Sequence, residues 1–137
     1  MKVQSDNELL ELFERQKISN DDWTHTLHIR IASIYLKKHD FDIALEKVKS
    51  GIKKLNAENK VPDSQFRGFH ETLTIGWLRL VQKKLDLSDA PTSLHLLVEH
   101  PELLNSRLLN DYYSHDRLMS LEAKACFIEP DLKPLTE

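Results

Sequence analysis

Two segments carry the side chains best suited to chemistry. Trp23-Thr24-His25-Thr26-Leu27-His28 and Phe69-His70-Glu71-Thr72-Leu73-Thr74 place three imidazoles and a carboxylate in otherwise apolar surroundings. A buried polar group costs free energy unless something satisfies it. Imidazole is a frequent metal ligand and the side chain that titrates nearest neutral pH. Residues three apart on a helix are neighbours, so His25 and His28 are placed to aim at one position. His70 would add a nitrogen from a partner helix. Glu71 would be a fourth ligand, an acceptor that orients an imidazole, or a general base toward metal-bound water. Such a set resembles a catalytic zinc arrangement with metal–nitrogen distances of about 2.0–2.1 Å, and a mixed nitrogen and oxygen set equally admits iron, manganese or nickel. The competing reading is that each histidine is a core or half-buried residue, hydrogen-bonded to a backbone carbonyl, to Thr24 or Thr74, or to Tyr35.

Several better-defined chemistries are excluded. His70-Glu71-Thr72-Leu73-Thr74 comes within one residue of the zinc-protease pattern His-Glu-x-x-His, but Thr74 stands where the second histidine must be. No Glu is followed three residues later by His, so the paired motif of di-iron bundles is missing. The only glycines, Gly51, Gly68 and Gly76, cannot build a phosphate loop, and no serine lies in a glycine elbow. A net charge of −3 with interspersed signs gives no footprint for nucleic acid. Lys47, Lys49, Lys53 and Lys54 read as the solvated face of one helix. The single Cys126 excludes an internal disulfide, and Met1-Lys2-Val3-Gln4-Ser5-Asp6 lacks the apolar run of a leader, which together point to a cytoplasmic protein. Apolar runs fall well short of the about 20 residues that a membrane span needs.

The elements that must position these residues are helical. Ser5 or Asp6 caps a first helix through Leu9, Leu10, Leu12 and Phe13 that ends near Lys17. Ser19-Asn20-Asp21-Asp22 supplies cap residues for a second, reaching about Lys38, with Leu27, Ile31, Ile34 and Tyr35 as its core stripe. A third follows His39-Asp40 with Phe41, Ala44, Leu45, Val48, Ile52 and Leu55 inward. The polar stretch from Asn56 to Gln65 is a connection long enough to cover another part of the fold. A fourth helix, from about Phe69 to Lys84, turns Phe69, His70, Leu73, Trp77, Leu80 and Val81 to one side and Glu71 about 100° away. Thr92 to Glu99, Pro101 to Asn110 and Ser120 to Phe127 read as short helices. The two prolines of Ile128-Glu129-Pro130-Asp131-Leu132-Lys133-Pro134-Leu135 impose an extended tail. Strand patterns are missing. The class is all-α: one domain over residues 1–137, a compact bundle of about four main helices with a short-helix C-terminal region.

The combination Trp23-Thr24-His25-x-x-His28, Phe69-His70-Glu71-Thr72-Leu73-Thr74 and Tyr112-Tyr113-Ser114, followed by Glu129-Pro130-Asp131-Leu132, resembles a family of small uncharacterised bacterial helical proteins, over nearly the whole chain. The resemblance implies that His25, His28, His70 and Glu71 act together, and it implies no reaction. A second resemblance spans His28 to Ile52, where Ile31, Ala32, Tyr35, Phe41, Ala44, Val48 and Gly51 fall on tetratricopeptide-repeat positions. The small residues Ala32, Ala44 and Gly51 would let two helices approach closely. The next copy, about 34 residues on, does not keep the pattern. The expectation is a metal or catalytic site of His25, His28, His70 and Glu71 acting on a small molecule. A helical interaction module without catalysis is the alternative. Leu9, Leu12 and Phe13 would either dock on a second copy or close their own core.

Overall fold

The computed structural model describes residues 4–135; Met1, Lys2 and Val3, which bear on the leader expectation, lie outside them. The fold is all-α. Its elements are α1 (Asp6–Glu14), α2 (His25–Lys38), α3 (Phe41–Glu58), α4 (Glu71–Leu85), α5 (Ser93–Glu99), α6 (His115–Leu118) and α7 (Leu121–Ala125), with 3₁₀ turns at Pro101–Leu104 and Leu108–Asp111. Among the described residues there is no strand, only an isolated bridge between Ser64 and Arg67.

Helix α2 is the hub. It packs against α1, α3, α4, α5 and the Pro101 turn, and every residue from Ile29 to Leu36 is buried. A helix surrounded on all sides loses the one-sided pattern of a surface helix. Helix α3 keeps that pattern: Ala44, Val48, Ile52 and Leu55 face inward. Leu9 and Phe13 of α1 are buried in this same core, so they close it and form no overhang.

Caps set the boundaries. Ser5 and Glu8 form a reciprocal capping box at α1. The helix stops at Glu14 because Gln16 turns left-handed (φ 54°), and Lys17 N–H then reaches the Leu12 carbonyl at 2.8 Å. Helix α3 ends the same way, with Lys60 at φ 56° and Val61 N–H on the Asn56 carbonyl at 2.9 Å. Helix α2 starts later than its acidic run suggests. Thr24 is the N-cap, while Ser19 folds its own tight turn by accepting from Asp22 N–H. The expected helix from Pro101 to Asn110 is two 3₁₀ turns instead. Asn105 interrupts it by accepting from Arg107 N–H, the local competition that favours Asn in turns.

The extended tail is held by donors from earlier residues. Tyr113 Oη donates to the Ile128 carbonyl (2.6 Å), Arg117 Nε to the Glu129 carbonyl (2.7 Å), and Ser114 N–H to Asp131 Oδ1 (2.8 Å). Leu132 N–H returns to the Tyr112 carbonyl at 2.9 Å. Burial pushes the Tyr113 hydroxyl up to about 12.

Candidate functional site

His70 is not part of the inward stripe of α4; it is the residue before the helix, with φ −128° and ψ 112°. Its Nδ1 accepts the Leu73 N–H at 3.0 Å, so Nε2 carries the hydrogen and donates to the Leu118 carbonyl at 2.9 Å. Both ring nitrogens are spent, one on capping α4 and one on tying it to α6. Burial depresses its pKa, the Leu118 hydrogen bond opposes that, and Lys124 adds to it. Neighbouring Thr74 donates to the His70 carbonyl at 2.8 Å. Thr72 donates to the Cys126 carbonyl and accepts from Ile128 N–H.

His25 is the first residue of α2, and its Nε2 donates to the Leu103 carbonyl at 2.9 Å. Its ring meets Trp77 edge-on, 4.6 Å between centroids. Burial lowers its pKa against the opposing effect of that hydrogen bond. His28 lies beside Trp23. Its Nε2 is buried with no hydrogen-bond partner among the described residues. Burial first, and the nearby His25 second, bring it down to about 4. Glu71 faces Lys49, with Nζ 2.9 Å from Oε2.

The expected metal centre of His25, His28, His70 and Glu71 is therefore corrected. Among the described residues no group of three or more His, Cys, Asp or Glu side chains is placed to hold a metal ion. The physical reason lies in the protons. A nitrogen that donates N–H to a carbonyl has no lone pair for a metal, and His70 uses its other nitrogen as well. Two of the histidines adopt the competing arrangement, hydrogen-bonded to backbone carbonyls. Glu71 has a lysine partner in place of a metal-bound water. The interaction-module alternative loses part of its footing too. Ala32 and Ala44 are buried, but Gly51 makes room for α1: a Cβ there would come within 2.2 Å of the Phe13 ring.

Two features went unread in the sequence. The first is buried Arg30, which is 2% exposed. Its Nε donates to Ser93 Oγ (2.8 Å) and its Nη2 to the Gln4 carbonyl (2.7 Å) and Asp6 Oδ1 (3.3 Å). Ser93 donates in turn to both Asp6 oxygens, through Oγ at 2.5 Å and N–H at 2.9 Å. Burial would raise the Asp6 carboxyl, but the bonds from Ser93 and Arg30 outweigh it and hold the pKa below its ordinary value. The signal was available: a guanidinium inside Ile29-Arg30-Ile31-Ala32 needs an anion.

The second is a cleft of about 760 Å³ that Glu71 helps to line. The last turns of α3 give it Lys53, Asn56 and Ala57, and α7 gives it Leu121, Lys124 and Ala125. The connection from α3 to α4 contributes Val61, Asp63, Gln65 and Phe69, so that stretch does cover a concavity. Lys124 braces this connection, donating to the Phe69 carbonyl at 2.7 Å and pairing with Asp63. Gln65 Nε2 reaches the Met119 carbonyl at 3.1 Å. Gly68 closes the turn at φ +91°, a conformation that favours glycine.

No described helix is long and apolar enough to cross a membrane. Compared with protein-family models, curated proteins and solved structures, the chain matches none.

Proposed function

We propose that this chain binds a small amphipathic molecule in the cleft between the end of α3, the connection after it and α7. The carrying observation is the cleft itself. Its volume of about 760 Å³ falls within the roughly 300–1,000 Å³ of ligand pockets. Its lining is amphipathic, with Ala57, Val61, Phe69, Leu121 and Ala125 as apolar wall, Asn56, Ser64 and Gln65 as neutral polar groups, and charged groups besides. Ala57 and Ala125 are small and exposed, so their side chains leave the cleft open. The reading assigns binding and names no reaction.

Titrating isotope-labelled protein with eight-carbon probes tests it. The backbone amides of Ala57, Phe69 and Ala125 are expected to shift in a saturable way. Ala57→Trp and Ala125→Trp, both at exposed positions, are expected to fill the cleft and abolish the shifts while the fold is kept. Shifts scattered over the surface, or unchanged in both variants, would remove the reading.

A further inference from the structure

We infer that the occupant of the cleft is a singly charged anionic amphiphile, a carboxylate or equivalent head on an apolar body, with Lys53 as the residue that receives the head. This rests on the cleft being a ligand site. The charged side chains that line it are Lys53, Asp63, Glu71 and Lys124. Glu71 is neutralised by Lys49 at 2.9 Å, and Asp63 by Lys124. Lys53 has no carboxylate within ion-pair distance among the described residues. Its ammonium instead lies over the face of Phe69, 4.9 Å from the ring centroid. Counting Lys49, which pairs with Glu71 from outside the lining, the cleft and its partners carry one positive charge in excess, on Lys53.

That charge is drawn over the Phe69 ring before anything binds. The Phe69 ring attracts the ammonium, so a ligand head meets a side chain whose freedom is already reduced, which lowers the entropic cost of binding. The ring takes none of the ammonium's N–H donors in a conventional hydrogen bond, and a carboxylate oxygen would accept them in a charge-assisted one. A dianion would leave one charge unmatched beside apolar wall, and a cationic head would repel Lys53. The body of the ligand has its own surface. Leu121, 64% exposed, lines the cleft with Ala57, Val61 and Ala125 and would be covered by an alkyl chain or ring.

Sodium octanoate, 1-octanol and octylammonium chloride, titrated at neutral pH, separate charge from apolarity. Octanoate is expected to bind at least about tenfold more tightly than octanol, as a hydrogen bond to a charged group would confer, and octylammonium weakest. Lys53→Gln should reduce octanoate to the level of octanol, and Lys53→Arg should keep most of the preference. Lys53 is exposed, so both variants are expected to melt like the parent. Equal binding of octanoate and octanol, or a preference that survives Lys53→Gln, overturns the anionic class and leaves a neutral ligand site standing. No saturable shift with any of the probes overturns the ligand site and this inference together.

Discussion

At the scale of the residue, the histidines are structural parts with different tolerances. His70 caps one helix and fastens another, so His70→Ala loses an N-cap and a buried hydrogen bond, together about 2 kcal/mol. His70→Asn restores the cap alone and should recover about half of that in urea denaturation. A cost as large for Asn as for Ala would mean the cap contributes nothing. His28 behaves oppositely. Its pKa of about 4 in the folded state against 6.5 for the free side chain means that, between those values, the unfolded chain holds the proton and the folded one does not. Stability is therefore full above about pH 6.5 and falls as pH drops toward 4, by up to about 3 kcal/mol. His28→Leu removes the unpaired Nε2 and should raise stability at pH 7 by about 1 kcal/mol while flattening the acid limb. Thermal melts from pH 4 to 8 measure both. The sequence placed His25 and His28 beside the buried face of α2, because helical phase is local, but it put His70 inside a helix that His70 only caps. It could not show which carbonyls His25 and His70 meet: Leu103 and Leu118 lie 78 and 48 residues away.

At the scale of the element, periodicity located the four main helices, and side-chain hydrogen bonding decided where they start. Thr24, His70 and Ser120 each accept from the backbone N–H of the third residue of the helix that follows. Of these, a capping histidine is the least expected from propensity, which is why His70 read as part of the inward stripe. Packing between α1 and α3 hangs on Gly51. In an exposed helix interior, alanine would gain about 1 kcal/mol over glycine, but here its Cβ would meet the ring of Phe13, which is fully buried and would have to shift out of its packing. Gly51→Ala should therefore destabilise by about 1–3 kcal/mol. Combining it with Phe13→Leu should make the two changes less than additive, a coupling that a double-mutant cycle reads directly.

At the scale of the whole molecule, the Arg30, Asp6 and Ser93 network joins α1, α2 and the start of α5 across 87 residues of sequence. Asp6→Ala strands a guanidinium whose side chain is 3% exposed, and about 3 kcal/mol should be lost. Because the folded Asp6 carboxyl titrates below its ordinary 3.8, its contribution is complete above that pH and disappears as pH falls below it. Asp6→Asn should blunt this part of the acid response in urea midpoints measured at pH 3 and 5. That Arg30 needs an anion was legible in Ile29-Arg30-Ile31-Ala32, but which carboxylate meets it was not, and neither was the cleft. Each is assembled from residues far apart in the chain, Lys53 with Lys124 in one case and Asp6 with Ser93 in the other, and periodicity carries no information about such meetings.

The tail offers a different kind of consequence. Ile128 and Glu129 are gripped by their main-chain carbonyls, through Tyr113 and Arg117, and Leu132 by its main-chain N–H. The specification of this segment therefore resides mostly in its receivers. In a saturation mutagenesis library, Glu129, Leu132 and Lys133, all exposed, should accept most substitutions. Tyr113 and Arg117 should tolerate few, with Ile128 and Leu135 restricted to apolar replacements because both are buried. Sequence can drift along the tail while its path is kept, as long as the residues that hold its backbone stay put.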